Sequence, residues 1–280
     1  MRTTDGGVTW RRVSPPATEA LDFRDIEAFD ANSAFALSAG PGPASRLYHT
    51  IDGGTNWRLL LANDAPKGFW DAIAFWNPRR GVLMGDPAGA TFDIRLTDDG
   101  GKSWRRPERL PEARPGESAF AASGTCLIVG TGGRAWFATG GKGGGRVFRS
   151  SDWGRTWDAS ETPVRHDGAS SGIFSIAFQD HRRGIVVGGD FQKPGEARGH
   201  VAVTGDGGLT WTPVQGPPLY LSAVRWRGDV LVATGPSGTV QSSDGGRTWT
   251  ESVPPGYHTL DIADGRIWAA GSGGPTLIFR

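Results

Sequence analysis

The sequence predicts an all-β protein that forms a single β-propeller domain over residues 1–280, and three observations support this class. An eight-residue pattern, [ST]-x-D-x-G-x-[STN]-W, occurs six times, at intervals of roughly 40 to 55 residues, as in propellers and other repeat proteins. Short apolar runs between Gly- and Pro-rich segments precede each later copy, which is typical of strands joined by turns. No segment of useful length has the apolar spacing of an amphipathic helix.

The repeated pattern has the residues of a turn that is stabilised by hydrogen bonds from its own side chains. Its Asp can accept hydrogen bonds from the backbone N–H groups that follow, and its Ser or Thr hydroxyl can close the loop from the other side. Its Gly supplies a positive φ, and its Trp begins the next strand with a large apolar face. We therefore expect the repeated Asp residues to be structural; they are Asp5, Asp52, Asp99, Asp152, Asp206 and Asp244.

Each unit reads as strands A, B and C, then the box, then strand D. In the third unit we expect strand A at Ala119 to Ala122 and strand B at Cys126 to Val129, with Ala135 to Ala138 as the alternative for strand B. Large Trp side chains, of which the chain has 12, would wedge between neighbouring units.

The two ends of the chain bear on the number of blades. The chain opens with half a unit, residues 1–13, and closes with strands A, B and C of another. We expect six four-stranded blades, with the N-terminal strand completing the C-terminal blade and so protecting its edge. The alternative is a seven-bladed parent whose first blade is truncated.

Composition excludes several classes of partner. The formal net charge of +1 gives no basis for binding nucleic acid. No stretch reaches the length of a membrane span, and the single Cys126 excludes an intramolecular disulfide. The chain enters a repeat at Thr3 without a signal peptide, which suggests a truncated N-terminus. The sequence therefore predicts no particular cellular address.

The box is similar to the Asp-box, or BNR, repeat of the sialidase-like superfamily. Further stretches, 22–26, 69–75, 85–87 and 171–178, resemble bacterial propellers related to the photosystem II stability/assembly factor family. This resemblance implies a seven-bladed, non-catalytic assembly factor whose boxes are structural and whose relatives are often exported. The count of six units departs from that pattern.

Polar residues at the starts of the A strands and the ends of the B strands suggest a binding funnel on one face. Aligning the units places Arg24, Asp71, Ser118, Phe174, Ser222 and His258 at equivalent positions. Several carboxylates, an Arg, a His and aromatic rings are suited to a polar ligand. The predicted ligand-binding residues are Arg24, Asp25, Asp71, Asp86, Glu117, Asp190, Tyr257 and His258.

The sequence favours a non-enzymatic scaffold that binds a protein or peptide partner, and we expect a monomer without cofactor or metal. The alternative is a glycoside hydrolase of the sialidase-like superfamily acting on a glycan, for which Asp71, Asp86 and Glu117 are the candidate catalytic carboxylates. Sialidase chemistry itself is disfavoured, because the Phe-Arg-Ile-Pro-type motif of sialidases does not occur. The His residues show no metal-ligand spacing.

Overall fold

The computed structural model describes residues 1–196, 198–250 and 254–279, and this part of the chain is all-β. Two single-turn 3-10 helices, η1 Gly42–Ala44 and η2 Thr131–Gly133, interrupt a succession of antiparallel strands. Among the described residues, no helix has the length and apolar character needed to cross a bilayer. The predicted all-β class is therefore confirmed.

The first three sheets follow one another along the chain. The first sheet contains β1 Asp22–Ala28, β2 Ala34–Ala39, β3 Arg46–Thr50 and β4 Arg58–Ala62. The second contains β5 Trp70–Asn77, β6 Arg80–Pro87 and β7 Phe92–Thr97. After the short β8 Glu117–Ser118, the third contains β9 Leu127–Gly130, β10 Arg134–Ala138, β12 Arg146–Ser150 and β13 Asp158–Glu161, with β11 Gly140–Gly141 between β10 and β12 in the chain.

The remaining three sheets repeat this pattern. The fourth contains β14 Ser171–Phe178, β15 Gly184–Asp190, β16 Val201–Thr204 and β17 Thr212–Pro213, and β11 and β8 extend it beyond β14. The fifth contains β18 Ala223–Arg227, β19 Val230–Gly235 and β20 Gly238–Ser242. The last contains β21 Thr259–Ala263, β22 Arg266–Gly271 and β23 Gly274–Phe279.

The sheets stand around an axis in chain order, with the first strand of each innermost. Consecutive first strands β1, β5, β9, β14, β18 and β21 pack beside one another. The inner strands β5 and β14 have neighbouring sheets on both sides. They are therefore buried on both faces, and their sequences are continuous apolar runs. The core therefore lies between the sheets, where clusters such as Phe35, Leu37, Leu83 and Trp70 interlock. This is the arrangement of a β-propeller.

The third unit departs from the expected strand assignment. Ala119 to Ala122 is not a strand, and strand A is β9. Strand B is β10, so the alternative, 135–138, was the better prediction for it. The physical reason is that residues 119–125 leave the sheet and bond to other parts of the ring, as described below.

The N-terminal segment, residues 2–13, pairs with itself through the bridge between Arg2 and Arg11. The expected pairing with β23 is not found in the described part of the chain, where β23 pairs with β22. Contacts instead hold the segment between the last and first sheets: Trp10 meets Trp268 edge-on at 5.9 Å, and Trp57 Nε1 donates to Val13 O at 2.6 Å. These contacts agree with the alternative of half a further blade; the blade number stays a prediction.

The six boxes have the predicted hydrogen bonds. In each, one Asp oxygen accepts the backbone N–H four residues later, at 2.8–3.0 Å. The Ser or Thr hydroxyl donates to the same Asp and accepts an N–H from the second residue after that Asp, as Thr97 does with Asp99 and Gly101. These bonds lower the pKa of Asp99 to about 2, the Ser103 hydroxyl contributing most. The box carboxylates are thus committed to their own turns.

Candidate functional site

A cavity of about 500 Å³ lies on the axis of the ring, lined by residues from the first strands of all six sheets. Of the eight predicted ligand-binding residues, it includes Arg24 and Asp25. It also includes Glu27, Arg225, Trp226, Asp261 and Trp268. A cavity of this size lies within the range of known ligand sites.

The segment Ser123–Thr125 crosses the axis and forms the floor of this cavity. Ser123 Oγ donates to Ser222 O at 2.8 Å, and Thr259 Oγ1 donates to Ser123 O at 2.9 Å. Thr125 Oγ1 donates to Ser175 Oγ at 2.6 Å. The segment belongs to the third unit, yet it bonds to the fourth, fifth and last. It therefore closes the axis at the end where the first strands begin.

Gly124, at the centre of this segment, is required by its surroundings. Its φ is +68°, and a Cβ there would stand 2.4 Å from Asp25 Oδ1. Any other side chain would combine backbone strain with a collision against a carboxylate held in place. Gly124 thus allows the segment to lie against the first sheet.

Asp25 joins two sheets and faces the cavity. Its Oδ2 accepts the backbone N–H of Ile73, in the first strand of the second sheet, at 2.8 Å. Part of the side chain reaches the cavity, but surrounding protein desolvates the carboxyl and raises its pKa to about 8, an effect reinforced by the charge of Glu27. Asp25 is therefore mostly neutral at neutral pH, and one of its roles is structural.

The cavity residues beyond Arg24 and Asp25, Glu27 among them, were missed by sequence reasoning. Desolvation, with the negative charge of Asp261 adding to it, raises the pKa of Glu27 to about 7. Glu27 makes no hydrogen bond or ion pair within the described residues, whereas Asp261 accepts from Arg225 Nε at 3.1 Å. The missed signal was the period of a strand, which places Asp25 and Glu27 on one side of β1.

Asp71 and Asp86 lie together but outside the axial cavity. Asp71 is 1% exposed, and within the described part of the chain neither of its carboxylate oxygens has a well-formed hydrogen bond. Burial raises the pKa of Asp71 well above its usual range, and the charge of Asp86 adds to this. Asp86, whose pKa burial raises to about 6, accepts the Ala119 N–H at 2.8 Å. Asp71 is therefore sealed from a substrate, although Asp86 is partly exposed.

Glu117 is fully engaged by protein groups. Its side chain is completely buried and forms an ion pair with Arg146, whose Nε donates to Oε1 at 3.0 Å. Thr139 Oγ1 donates to the same oxygen at 2.7 Å, and the Arg114 N–H donates to the other at 2.9 Å. Removing one partner of such a buried pair is strongly destabilising. Glu117, a candidate catalytic carboxylate if the protein is a glycosidase, is thus held by its contacts within the protein.

The last three predicted residues lie at two places, Asp190 at the end of β15 and the other two just before β21. Asp190, at the end of β15, accepts the Gln192 N–H at 3.0 Å. Tyr257 packs against the apolar cluster between the fifth and last sheets. His258 is exposed, and its backbone carbonyl accepts a hydrogen bond from Ser222 Oγ at 2.7 Å. The structure therefore does not bring the predicted set into one funnel.

The axial cavity combines acidic and aromatic groups. Trp226 and Trp268 contribute rings to its lining, and the buried Nε1 of Trp226 has no hydrogen-bond partner among the residues that the structure describes. Among the described residues, no group of His, Cys, Asp and Glu could hold a metal ion. The lining can bind a cation through carboxylates and ring faces.

Comparison with known proteins places this fold among solved propellers. A scan against family models gives no match, and a search of curated proteins gives none. A structure described as YCF48 bound to D1 peptide is 18% identical, with a TM-score of 0.61 over 94% of this chain and 82% of that chain. YCF48 from Cyanidioschyzon merolae is 16% identical, with a TM-score of 0.53 over 97% and 98%.

A GH74 enzyme from Niastella koreensis is similar to the same degree. It is 15% identical, with a TM-score of 0.62, and the match covers 90% of this chain and 41% of that enzyme. Identities this low establish a likeness of fold. The chain thus resembles both a peptide-binding propeller and part of a larger enzyme.

Proposed function

We propose that this protein is a propeller scaffold that binds a protein or peptide partner. The observation that carries the proposal is the axial cavity, floored by Ser123–Thr125 and lined by Trp226, Trp268 and Glu27, which has no ion pair among the described residues. Aromatic rings combined with a few polar groups are typical of binding sites. The YCF48 structure with a bound D1 peptide gives a precedent for peptide binding on a similar fold.

The accessibility of the carboxylates argues against the predicted hydrolase chemistry. A glycosidase needs two carboxyl groups that both reach the substrate. Asp71 is 1% exposed, and Glu117 is committed to Arg146. Asp86 therefore has no second carboxylate, among the three candidate catalytic residues, that could reach a substrate with it.

Selection from a phage-displayed library of random 12-residue peptides tests the proposed function. We expect peptides that bind the intact chain with micromolar or tighter affinity by calorimetry. A parallel selection on the heat-unfolded chain serves as the control for nonspecific adsorption. Failure to select any peptide that prefers the folded chain would refute the scaffold proposal.

Glycan hydrolysis is the second candidate, favoured by the likeness to GH74 enzymes, one of them a xyloglucanase from Xanthomonas campestris. The raised pKa values of Asp25 and Glu27, about 8 and about 7, suit a general acid. A reducing-sugar assay on xyloglucan tests this, with Asp25→Asn and Glu27→Gln as the matched variants. Turnover by the wild type that both variants lose would replace the scaffold proposal.

A further inference from the structure

A cleft of about 480 Å³ lies between the third and fourth sheets, beside the boxes of both. Its lining includes Arg134, Arg149 and Asp158 of the third sheet and Arg182 and Leu209 of the fourth unit. None of its lining residues belongs to the axial cavity. The cleft is therefore a separate place on the ring, away from the axis.

The register of the third sheet directs its side chains into this cleft. Trp136 lies opposite Arg149, and Arg149 lies opposite Asp158, so these three side chains project from one side of the sheet. That side faces the fourth unit, because the Trp136 ring stacks on Phe178 at 4.2 Å and its Nε1 donates to Gly207 O at 2.9 Å. The aromatic contact joins the two units, and the charged pair lies further from the axis on the same side.

Arg149 carries a charge that the repeat does not require. It directly precedes the box residue Ser150, and the first, second, fourth and fifth sheets have other residues there, namely His49, Leu96, Val203 and Gln241. Arg149 Nη2 lies 3.7 Å from Asp158 Oδ2, and the Asp158 side chain is 81% exposed. An ion pair this exposed contributes little to stability. The guanidinium group of Arg149 is thus specific to this cleft and only weakly compensated.

Two further guanidinium groups line the cleft and make no ion pair within the described part of the chain. Arg134 Nη1 donates to Thr131 O at 3.0 Å, and Arg182 Nε donates to Gly205 O at 3.3 Å. These bonds orient each side chain through one nitrogen and leave its other N–H groups for a ligand. The second acidic residue of the lining, Asp206, accepts four hydrogen bonds within its own box. The arginines and carboxylates of the lining therefore leave one positive charge in excess.

An exposed apolar side chain borders these charges. Leu209 is 54% exposed. The second to fourth boxes and the last box have a polar or charged residue at this position, namely Thr55, Lys102, Arg155 and Arg247. Arginine is enriched in protein interfaces, where it binds carboxylates through two parallel N–H groups. The cleft thus combines arginines for a carboxylate with an apolar surface beside them.

We infer that this cleft binds an aspartate or glutamate side chain of the protein partner, held by Arg134, Arg149 and Arg182, with a neighbouring apolar residue of the partner against Leu209. This inference rests on the proposed scaffold function and gives the partner a second contact outside the axial cavity. The occupant is acidic because the cations of the lining exceed its carboxylates, and a single carboxylate balances that excess.

The probe is the random 12-residue peptide library of the previous section, panned on the intact chain at pH 7.5. Selected peptides should include a class with an aspartate or glutamate beside an apolar residue. Changing that acid to its amide should raise the Kd of such a peptide at least tenfold. Arg149→Gln and Arg182→Gln should each raise it at least fivefold. Circular dichroism on every variant checks that the fold is unchanged.

Arg79→Gln is the matched control for a general effect of charge. Arg79 occupies the same turn in the second unit, where its backbone carbonyl accepts the Gly100 N–H as that of Arg182 accepts the Gly207 N–H. Arg79 does not line the cleft, so this variant should bind the peptides as the wild type does. An equal loss of affinity in Arg79→Gln and Arg182→Gln would overturn the inference.

Photo-crosslinking gives an independent readout of position. Benzoylphenylalanine introduced at Leu209 should capture the acidic peptides, whereas the same group at Val8, which is 81% exposed in the N-terminal box, should not. Selected peptides that are insensitive to both Arg149→Gln and Arg182→Gln would overturn the inference and leave the scaffold function intact. Capture of a second copy of the chain at position 209, with dimerisation in sedimentation, would overturn it as well. If no peptide prefers the folded chain, the scaffold function and this inference are refuted together.

Discussion

Replacing Asp25 by Asn should change how the stability of this protein depends on pH. The pKa of Asp25 is raised from 3.8 to about 8, chiefly by desolvation. A carboxyl whose pKa is higher in the folded chain binds more protons there, so its contribution is fully present below pH 3.8. That contribution is lost as the pH rises toward 8. Asn cannot ionise, and its carbonyl can still accept the Ile73 N–H.

The size of the effect follows from the two pKa values. Between them, one extra bound proton changes the free energy of unfolding by about 1.4 kcal/mol per pH unit. From pH 5 to pH 7 this amounts to nearly 3 kcal/mol. Because part of the side chain reaches the cavity, solvent screening reduces the figure to about 1–2 kcal/mol. The stability advantage of the Asn variant over the wild type should therefore grow by that amount between pH 5 and pH 7.

Urea unfolding followed by tryptophan fluorescence at pH 5, 6 and 7 measures this difference. Subtracting the wild type from the variant removes the titration of groups common to both. Asp99→Asn is the matched control: its pKa of about 2 lies below 3.8, so its stabilising contribution is present above pH 3.8 and should be lost at lower pH. The reasoning is refuted if the advantage of Asp25→Asn stays constant or shrinks from pH 5 to pH 7.

Three further predictions concern the repeats and the N-terminal segment. Asp99→Ala should lower the free energy of unfolding by about 1 kcal/mol at pH 7, because partly exposed turn bonds are lost; thermal unfolding that matches the wild type would contradict this. Trp153 holds a φ of +66° where the other boxes have Gly, so Trp153→Gly should be more stable than Trp153→Ala by about 1 kcal/mol in urea unfolding, and equal stabilities would count against that strain. Deleting residues 1–13 should lower the melting temperature by a few degrees, since the segment contributes about 2 kcal/mol through Trp10 and the Val13 carbonyl; calorimetry showing no shift would exclude these contacts as stabilising.

The repeating parts of the fold could be predicted from sequence because each is determined locally. The Asp99 turn closes within a few residues, and the pattern of Thr97, Gly101 and Ser103 contains every partner that it uses. Strands such as β14 are likewise recognisable in the sequence, because a strand buried on both faces is a short continuous apolar run. The class and the turn chemistry therefore followed from short windows of the chain.

The candidate site could not be predicted in the same way because it depends on contacts between distant segments. The contact of Asp25 with Gly124 and the bond from Thr259 to Ser123 join residues on different sheets. The run Ala119 to Ala122 cannot be distinguished from an apolar strand by its sequence. In the structure it leads directly into Ser123–Thr125, which belongs to no sheet. Glu117 looked available only because its partner Arg146 is remote in sequence.

The same long-range contacts explain why the acidic groups at the axis have raised pKa values. A floor across the axis excludes water from one end of the cavity, which raises the pKa of Asp25 and Glu27. Glu27 is half-buried in the cavity lining, where the negative charge of Asp261 adds to the effect of desolvation. The protonation state of Asp25 thus depends on a segment that the third unit contributes across the axis.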